Sequence, residues 1–133
     1  MKKIEHIGIA VKDLEASNKL FSKIFGKSPY KSEEVESEGV ITSFFKIGDS
    51  KIELVASKNK ENAIHKYLSK NKEGIHHIAF AVSDIIKEMK RIKKEGIRLL
   101  HETPVKGADN NMICFLHPKD TNGVLVELCQ EIK

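Results

Sequence analysis

The sequence repeats itself once, at a distance of 71 residues. Ile4-Glu5-His6-Ile7-Gly8-Ile9-Ala10-Val11 returns as Ile75-His76-His77-Ile78-Ala79-Phe80-Ala81-Val82, so that His6 matches His77 (77 − 6 = 71) and Asp13 matches Asp84. Each copy runs into a segment with helical apolar spacing that stops at a glycine, Gly26 or Gly96. A long period seen twice is not the signature of a solenoid; it implies a duplicated half-domain. Whatever local fold the first copy adopts, the second must be able to adopt as well.

Read as a strand, each copy separates into two faces, because side chains alternate with period two. His6, Gly8 and Ala10 share one face of the first copy, and Glu5, Ile7, Ile9 and Val11 share the other. In the second copy His77, Ala79 and Ala81 oppose Ile78, Phe80 and Val82. The bulky face is expected to pack on the helix that follows. The other face carries one histidine among small residues and leaves room for something else. A lone histidine beside an alanine is usually structural. Two equivalent ones, each on the small-residue face of a repeated strand, point to metal ligation.

Both halves read as β-α-β-β-β, an α+β fold. In the first, Asp13 caps a helix with Leu14, Ser17, Phe21, Ile24 and Phe25 as its stripe. Residues 27–38 are an edge strand with a loop, and strands follow at Val40–Ile47 and Lys51–Val55 around the turn Gly48-Asp49-Ser50. Asn59–Lys70 should contain a short amphipathic helix through Ile64, Tyr67 and Leu68. In the second half Asp84 caps a helix striped by Ile85, Met89 and Ile92. Ile97–Leu100 is expected as a short strand, His101–Asn110 as a loop, Met112–Leu116 and Val124–Cys129 as strands, and residues 117–123 as a turn. The chain is expected to be a single domain, 1–133, with internal modules at about 4–56 and 75–130 whose curved mixed sheets enclose a shared cleft.

Length and composition suit one soluble domain with a sizeable core. There is no apolar run long enough to span a membrane, and Met1-Lys2-Lys3 leads straight into a strand without the apolar stretch of a signal peptide. A cytoplasmic location is expected. Cys114 and Cys129 are too few and too far apart for a zinc motif or a disulfide framework, and should be buried free thiols. The net charge of +4 suits an acidic or phosphate-bearing ligand. No basic stripe alternates with stacking residues, so nucleic acid is not expected as a partner.

The last strand of each half holds one carboxylate inside an apolar run: Glu53 between Ile52 and Leu54, and Glu127 between Val126 and Leu128. Taken singly, each would be the wet face of an edge strand. With the repeat, each half offers a histidine on its first strand and a glutamate on its fourth. His6, Glu53, His77 and Glu127 together would make a first shell for a divalent transition metal.

These residues resemble the vicinal oxygen chelate superfamily, whose members pair two βαβββ modules around a metal. Within it, Gly74-Ile75-His76-His77-Ile78-Ala79-Phe80 and the run from Phe115 through His117-Pro118-Lys119-Asp120 to Val126-Glu127-Leu128 resemble the methylmalonyl-CoA epimerase family. The resemblance covers nearly the whole chain. It implies metal-dependent epimerisation at C2 of an acyl-CoA, within propionate metabolism, by a homodimer. The implied metal ligands are His6, Glu53, His77 and Glu127, holding Co2+, or Mn2+, Ni2+ or Zn2+. Glu127 would also be an acid/base group, and Lys119 would meet a CoA phosphate. The sequence departs from the family at two places. Glu53 stands where epimerases often have glutamine, and Thr42 where some have a glutamate; a water, Glu53 or Glu38 would then replace that second base. Other readings are a glyoxalase-like lyase and a non-enzymatic small-molecule binding protein of the same fold. His76 is expected to be structural, His65 and His101 exposed, and His117 part of the turn around Pro118.

Overall fold

A computed structural model describes residues 1–59 and 62–133. The element order is β1 (Lys3–Ala10), α1 (Leu14–Phe25), β2 (Lys31–Val35), β3 (Val40–Ile47), β4 (Ser50–Ser57), α2 (Ala63–Lys70), β5 (Gly74–Ala81), α3 (Ile85–Lys94), β6 (Val105–Lys106), β7 (Asn111–Phe115) and β8 (Val126–Glu131). Each half is thus β-α-β-β-β, with α2 between them. Lys60 and Glu61, which the expected linker segment also covers, lie outside the described residues. The chain packs as two compact units, Ile7–His76 and Met1–His6 with His77–Lys133. The division falls inside β1, between His6 and Ile7.

In the Ile7–His76 unit, β2, β3 and β4 form an antiparallel sheet with β2 at its edge. Alternation gives that sheet two different faces. Phe45, Leu54 and Ala56 point to one side, where they cluster with Val11 and with Leu14, Phe21 and Phe25 of α1. Thr42, Phe44, Glu53 and Val55 point to the other, Phe44 directly opposite Glu53 and Thr42 opposite Val55. Helix α1 begins where Asp13 Oδ1 accepts the Ala16 N–H at 3.1 Å and ends at Gly26, whose φ of 69° suits a residue without Cβ. Its apolar stripe is narrower than the sequence implies. Ile24 is 61% exposed, because Phe25 already fills the sheet side of that turn.

The other unit repeats the scheme with a mixed sheet. β5 runs parallel to β8, β8 antiparallel to β7, and β7 antiparallel to β6. On one face Val82, Cys114, Leu116 and Leu128 pack against Ile85, Met89 and Ile92 of α3, all of them buried. Asp84 Oδ1 caps α3 through the Lys87 N–H at 3.1 Å. Several boundaries differ from expectation; the last strand, expected at Val124–Cys129, runs Val126–Glu131. Ile97–Leu100 is not a strand; Leu99 alone bridges Leu116, and the second strand of this half is β6, inside the stretch expected to be a loop. Gly107 N–H donates to the Asn111 carbonyl at 2.9 Å and so closes the β6–β7 turn. The expected turn at 117–123 contains a short 3-10 helix, Pro118–Asp120.

Candidate metal centre

The centre is built in the unit formed by Met1–His6 and His77–Lys133. Lys2 N–H donates to the Ala81 carbonyl at 2.8 Å, tying the start of β1 to the end of β5. Four residues further along β1 and four residues back along β5 stand His6 and His77. A step of four preserves the face, so both rings leave their strands on the same side. β8 lies on the other flank of β5 with Glu127 opposite Ala79. Ala79 is fully buried and has only a methyl group, which leaves space above it for the carboxylate. Phe115 faces Glu127 from β7, and its ring meets that of His77 edge-on with centroids 5.9 Å apart.

The donors converge. His6 Nε2 is 3.1 Å from His77 Nε2 and 3.7 Å from Glu127 Oε2, and His77 Nε2 is 3.4 Å from Glu127 Oε1. The rings are perpendicular, at 89°. His6, His77 and Glu127 are all buried, and they form the one group among the described residues whose ligand atoms all lie within 4.8 Å of one another. Bonds of about 2.1 Å meeting at 90–109° would set neighbouring ligand atoms roughly 3.0–3.4 Å apart; the 3.1 and 3.4 Å separations at His77 Nε2 match that spacing, and the 3.7 Å between His6 Nε2 and Glu127 Oε2 is slightly wider. Two imidazoles and a carboxylate are also the donor set such an ion prefers.

Burial alone would push the Glu127 carboxyl up. Contact with His6, then His77 and the Cys129 thiol, outweighs it and holds the group down at about 2. The carboxylate is therefore ionised at neutral pH. Cys129 Sγ donates to Glu127 Oε2 at 2.8 Å, and His6 Nδ1 lies 3.0 Å from Glu5 Oε1.

Of the proposed ligands, the structure brings together His6, His77 and Glu127. Glu53 belongs to the Ile7–His76 unit, where it is buried on β4 opposite Phe44. Thr42 is buried in the same unit, and its hydroxyl donates to the Glu33 carbonyl at 3.3 Å. Glu38 is exposed in the turn before β3. Lys119 is exposed, and its backbone N–H is taken by His117 Nδ1 at 3.2 Å, so His117 serves the turn as expected. His76 packs edge-on against Tyr67 at 4.8 Å, a structural role. His65 and His101 are half-buried and not exposed; His101 lies against the Phe115 ring at 6.1 Å. Two further contacts join the cluster. Cys129 shares a face with Glu127 because it follows by two residues, a signal present in the sequence. The same rule puts Glu5 on the far face, and only the geometry reveals its contact with His6.

The chain matches the Glyoxalase/Bleomycin resistance protein/Dioxygenase superfamily over residues 5–115. It belongs to that superfamily. It is 38% identical to an ethylmalonyl-CoA/methylmalonyl-CoA epimerase of Cereibacter sphaeroides over 96% of this chain and 97% of that one. Its structure is similar to that of a Streptomyces coelicolor methylmalonyl-CoA epimerase variant in complex with 2-nitronate-propionyl-CoA, with a TM-score of 0.96, 36% identity, and coverage of 100% and 99%. It is similar at a TM-score of 0.95 to a methylmalonyl-CoA epimerase in complex with methylmalonyl-CoA and NH4+, at 36% identity, covering 98% of this chain and 95% of that one.

Proposed function

We propose that this protein interconverts the (2R) and (2S) forms of methylmalonyl-CoA by removing and returning the proton at C2. The observation that carries the reading is the convergence of His6 Nε2, His77 Nε2 and the Glu127 carboxylate in one buried cluster, on a chain similar along its length to such epimerases. These residues would hold a divalent ion, cobalt first, with manganese, nickel and zinc as alternatives. The resemblance, and no distance, carries Glu53 into the same ligand set. When bound, the ion supplies positive charge that favours negative charge developing on the substrate oxygens.

The C2 hydrogen is acidic because a thioester and a carboxylate flank it. Glu127, ionised at neutral pH, accepts that proton. Inversion requires a proton to return on the opposite face, so a second group is needed. Thr42 is unsuited to it, since its hydroxyl is engaged by the Glu33 carbonyl. Glu53, Glu38 or a water takes that role. Lys119, exposed beside the short 3-10 helix, contacts a CoA phosphate. The modules at 4–56 and 75–130 act as one catalytic domain, and the protein works as a cytoplasmic homodimer in propionate metabolism. The exposed apolar side chains Leu20 and Ile24 support the dimer.

The test is incubation of the metal-loaded protein with one epimer in deuterated water. Conversion to the other epimer with deuterium at C2 is expected. Absence of conversion with all four metals rejects the epimerase, and turnover of a thiol adduct in its place would make the protein a lyase.

A further inference from the structure

Glu5 is a buried carboxylate with no task in the scheme above. Its side chain is 9% exposed and that of His6 is 6% exposed. Removing a carboxylate from water is costly unless it is hydrogen-bonded. Glu5 meets that requirement at the ring of its own neighbour, with Oε1 3.0 Å from His6 Nδ1. The other ring nitrogen, His6 Nε2, is the atom that stands 3.1 Å from His77 Nε2 and 3.7 Å from Glu127 Oε2. The imidazole is thus held at one nitrogen by a carboxylate and aimed at the ligand cluster with the other.

We propose that Glu5 is the positioning residue of the metal centre: by accepting the His6 Nδ1–H it fixes the tautomer whose Nε2 lone pair faces His77 and Glu127. A neutral imidazole carries its one proton on either nitrogen, and only the Nδ1–H form offers Nε2 as a ligand. A carboxyl oxygen accepting at Nδ1 also fixes the ring's rotation and strengthens Nε2 as a ligand. His77 and Glu127 then meet a ligand already in place, and binding does not have to order it. The proposal rests on the metal-binding reading of the cluster.

The experiment compares the wild type with Glu5→Gln and Glu5→Met. Glutamine keeps an acceptor oxygen, and methionine fills similar space without one. Co2+ affinity is measured by competition with a chromophoric chelator. Ring nitrogen shifts of His6 are measured by NMR on the metal-free protein. Glu5→Met should weaken Co2+ binding by on the order of 10–100-fold, and Glu5→Gln by clearly less. His6 should be the Nδ1–H tautomer in the wild type and in Glu5→Gln, and should shift toward Nε2–H in Glu5→Met. Wild-type affinity in Glu5→Met, or an Nε2–H tautomer in the wild type, overturns the assignment of Glu5 alone. A wild type that does not bind Co2+ overturns the metal reading itself, and this proposal with it. Loss of affinity from general unfolding is recognised by collapse of the whole spectrum, and in that case the tautomer and affinity of Glu5→Gln decide.

Discussion

The hairpins β3–β4 and β7–β8 differ in their turns and agree in their register. Phe44 and Phe115 keep the period of the repeat (115 − 44 = 71), whereas Glu53 and Glu127 do not (127 − 53 = 74). The extra residues lie in the connection. Residues 48–49 join β3 to β4, and residues 116–125 join β7 to β8. Yet Glu53 faces Phe44 across its hairpin and Glu127 faces Phe115 across the other. Lengthening a surface turn costs little. A slip of one residue in the ladder would send the carboxylate to the helix-packed face. Strand register therefore sets the face each carboxylate takes in both halves, and turn length is free to vary.

The sharpest way to break this equivalence is to change both carboxylates in the same manner. Glu127→Gln keeps the shape and one oxygen donor but removes the ionisable carboxylate proposed as base. Turnover should fall on the order of 10²–10⁴-fold, with metal content close to wild type. Glu53→Gln should lose far less, because an amide oxygen can still serve as a ligand. Parallel kinetics and metal analysis on the two variants check this, and equal losses would mean that the two halves contribute alike. His6→Ala and His77→Ala should each lose metal together with activity.

The helices give the next comparison. α3 buries Ile85, Met89 and Ile92, while α1 has no fully buried residue and leaves Leu20 54% exposed. Met89→Ala should destabilise by roughly 2–4 kcal/mol, since it opens a cavity against a closed cluster. Leu20→Ala should change the monomer's stability by no more than about 0.5 kcal/mol. Denaturant midpoints measure both. A large loss for Leu20→Ala that grows with protein concentration would place that face in a dimer contact.

Much of this was legible from the repeat. Period-two alternation identifies the face that carries His6 and His77, and the aspartate–glycine brackets locate α1 and α3. Both are local signals, fixed by residues close in sequence. The failures are of another kind. Ile97–Leu100 has strand composition but forms only an isolated bridge, Leu99 with Leu116, whereas Val105–Lys106 pairs with β7 just beyond a proline. Pairing is a tertiary choice that composition does not set. Glu5 escaped for a related reason. Alternation describes where Cβ points, and a side chain as long as glutamate can turn back at the strand's edge to reach its neighbour's ring.

Thr42→Val tests the position where, by resemblance, some epimerases carry a glutamate. It removes one side-chain hydrogen bond to the Glu33 carbonyl, at a cost of about 1 kcal/mol. Turnover should stay near wild type if the hydroxyl only serves the β2–β3 pair. A severe loss of turnover without loss of stability would assign it a part in ordering an essential water.

The smallest effect belongs to the longer turn. Asp120 holds Arg98 through two side-chain bonds of 2.9 Å and accepts the Arg98 backbone N–H at 2.8 Å. The Arg98 side-chain contact, then its backbone N–H, holds the Asp120 carboxyl well below the usual aspartate range. A carboxyl whose pKa is depressed by folding binds its proton more readily in the unfolded chain. The stabilisation is thus fully present above the unfolded pKa of about 3.9 and is lost as pH falls toward the folded value. Asp120 and Arg98 are both at the surface, so salt weakens the effect. The melting temperature of Asp120→Asn should lie slightly below that of the wild type at neutral pH and low salt, and the gap should close in acid. A gap that persists unchanged below pH 3 would show that the aspartate stabilises the turn by its shape and hydrogen bonds, and not by its charge. The short β3–β4 connection instead turns at Gly48, where φ is 58°.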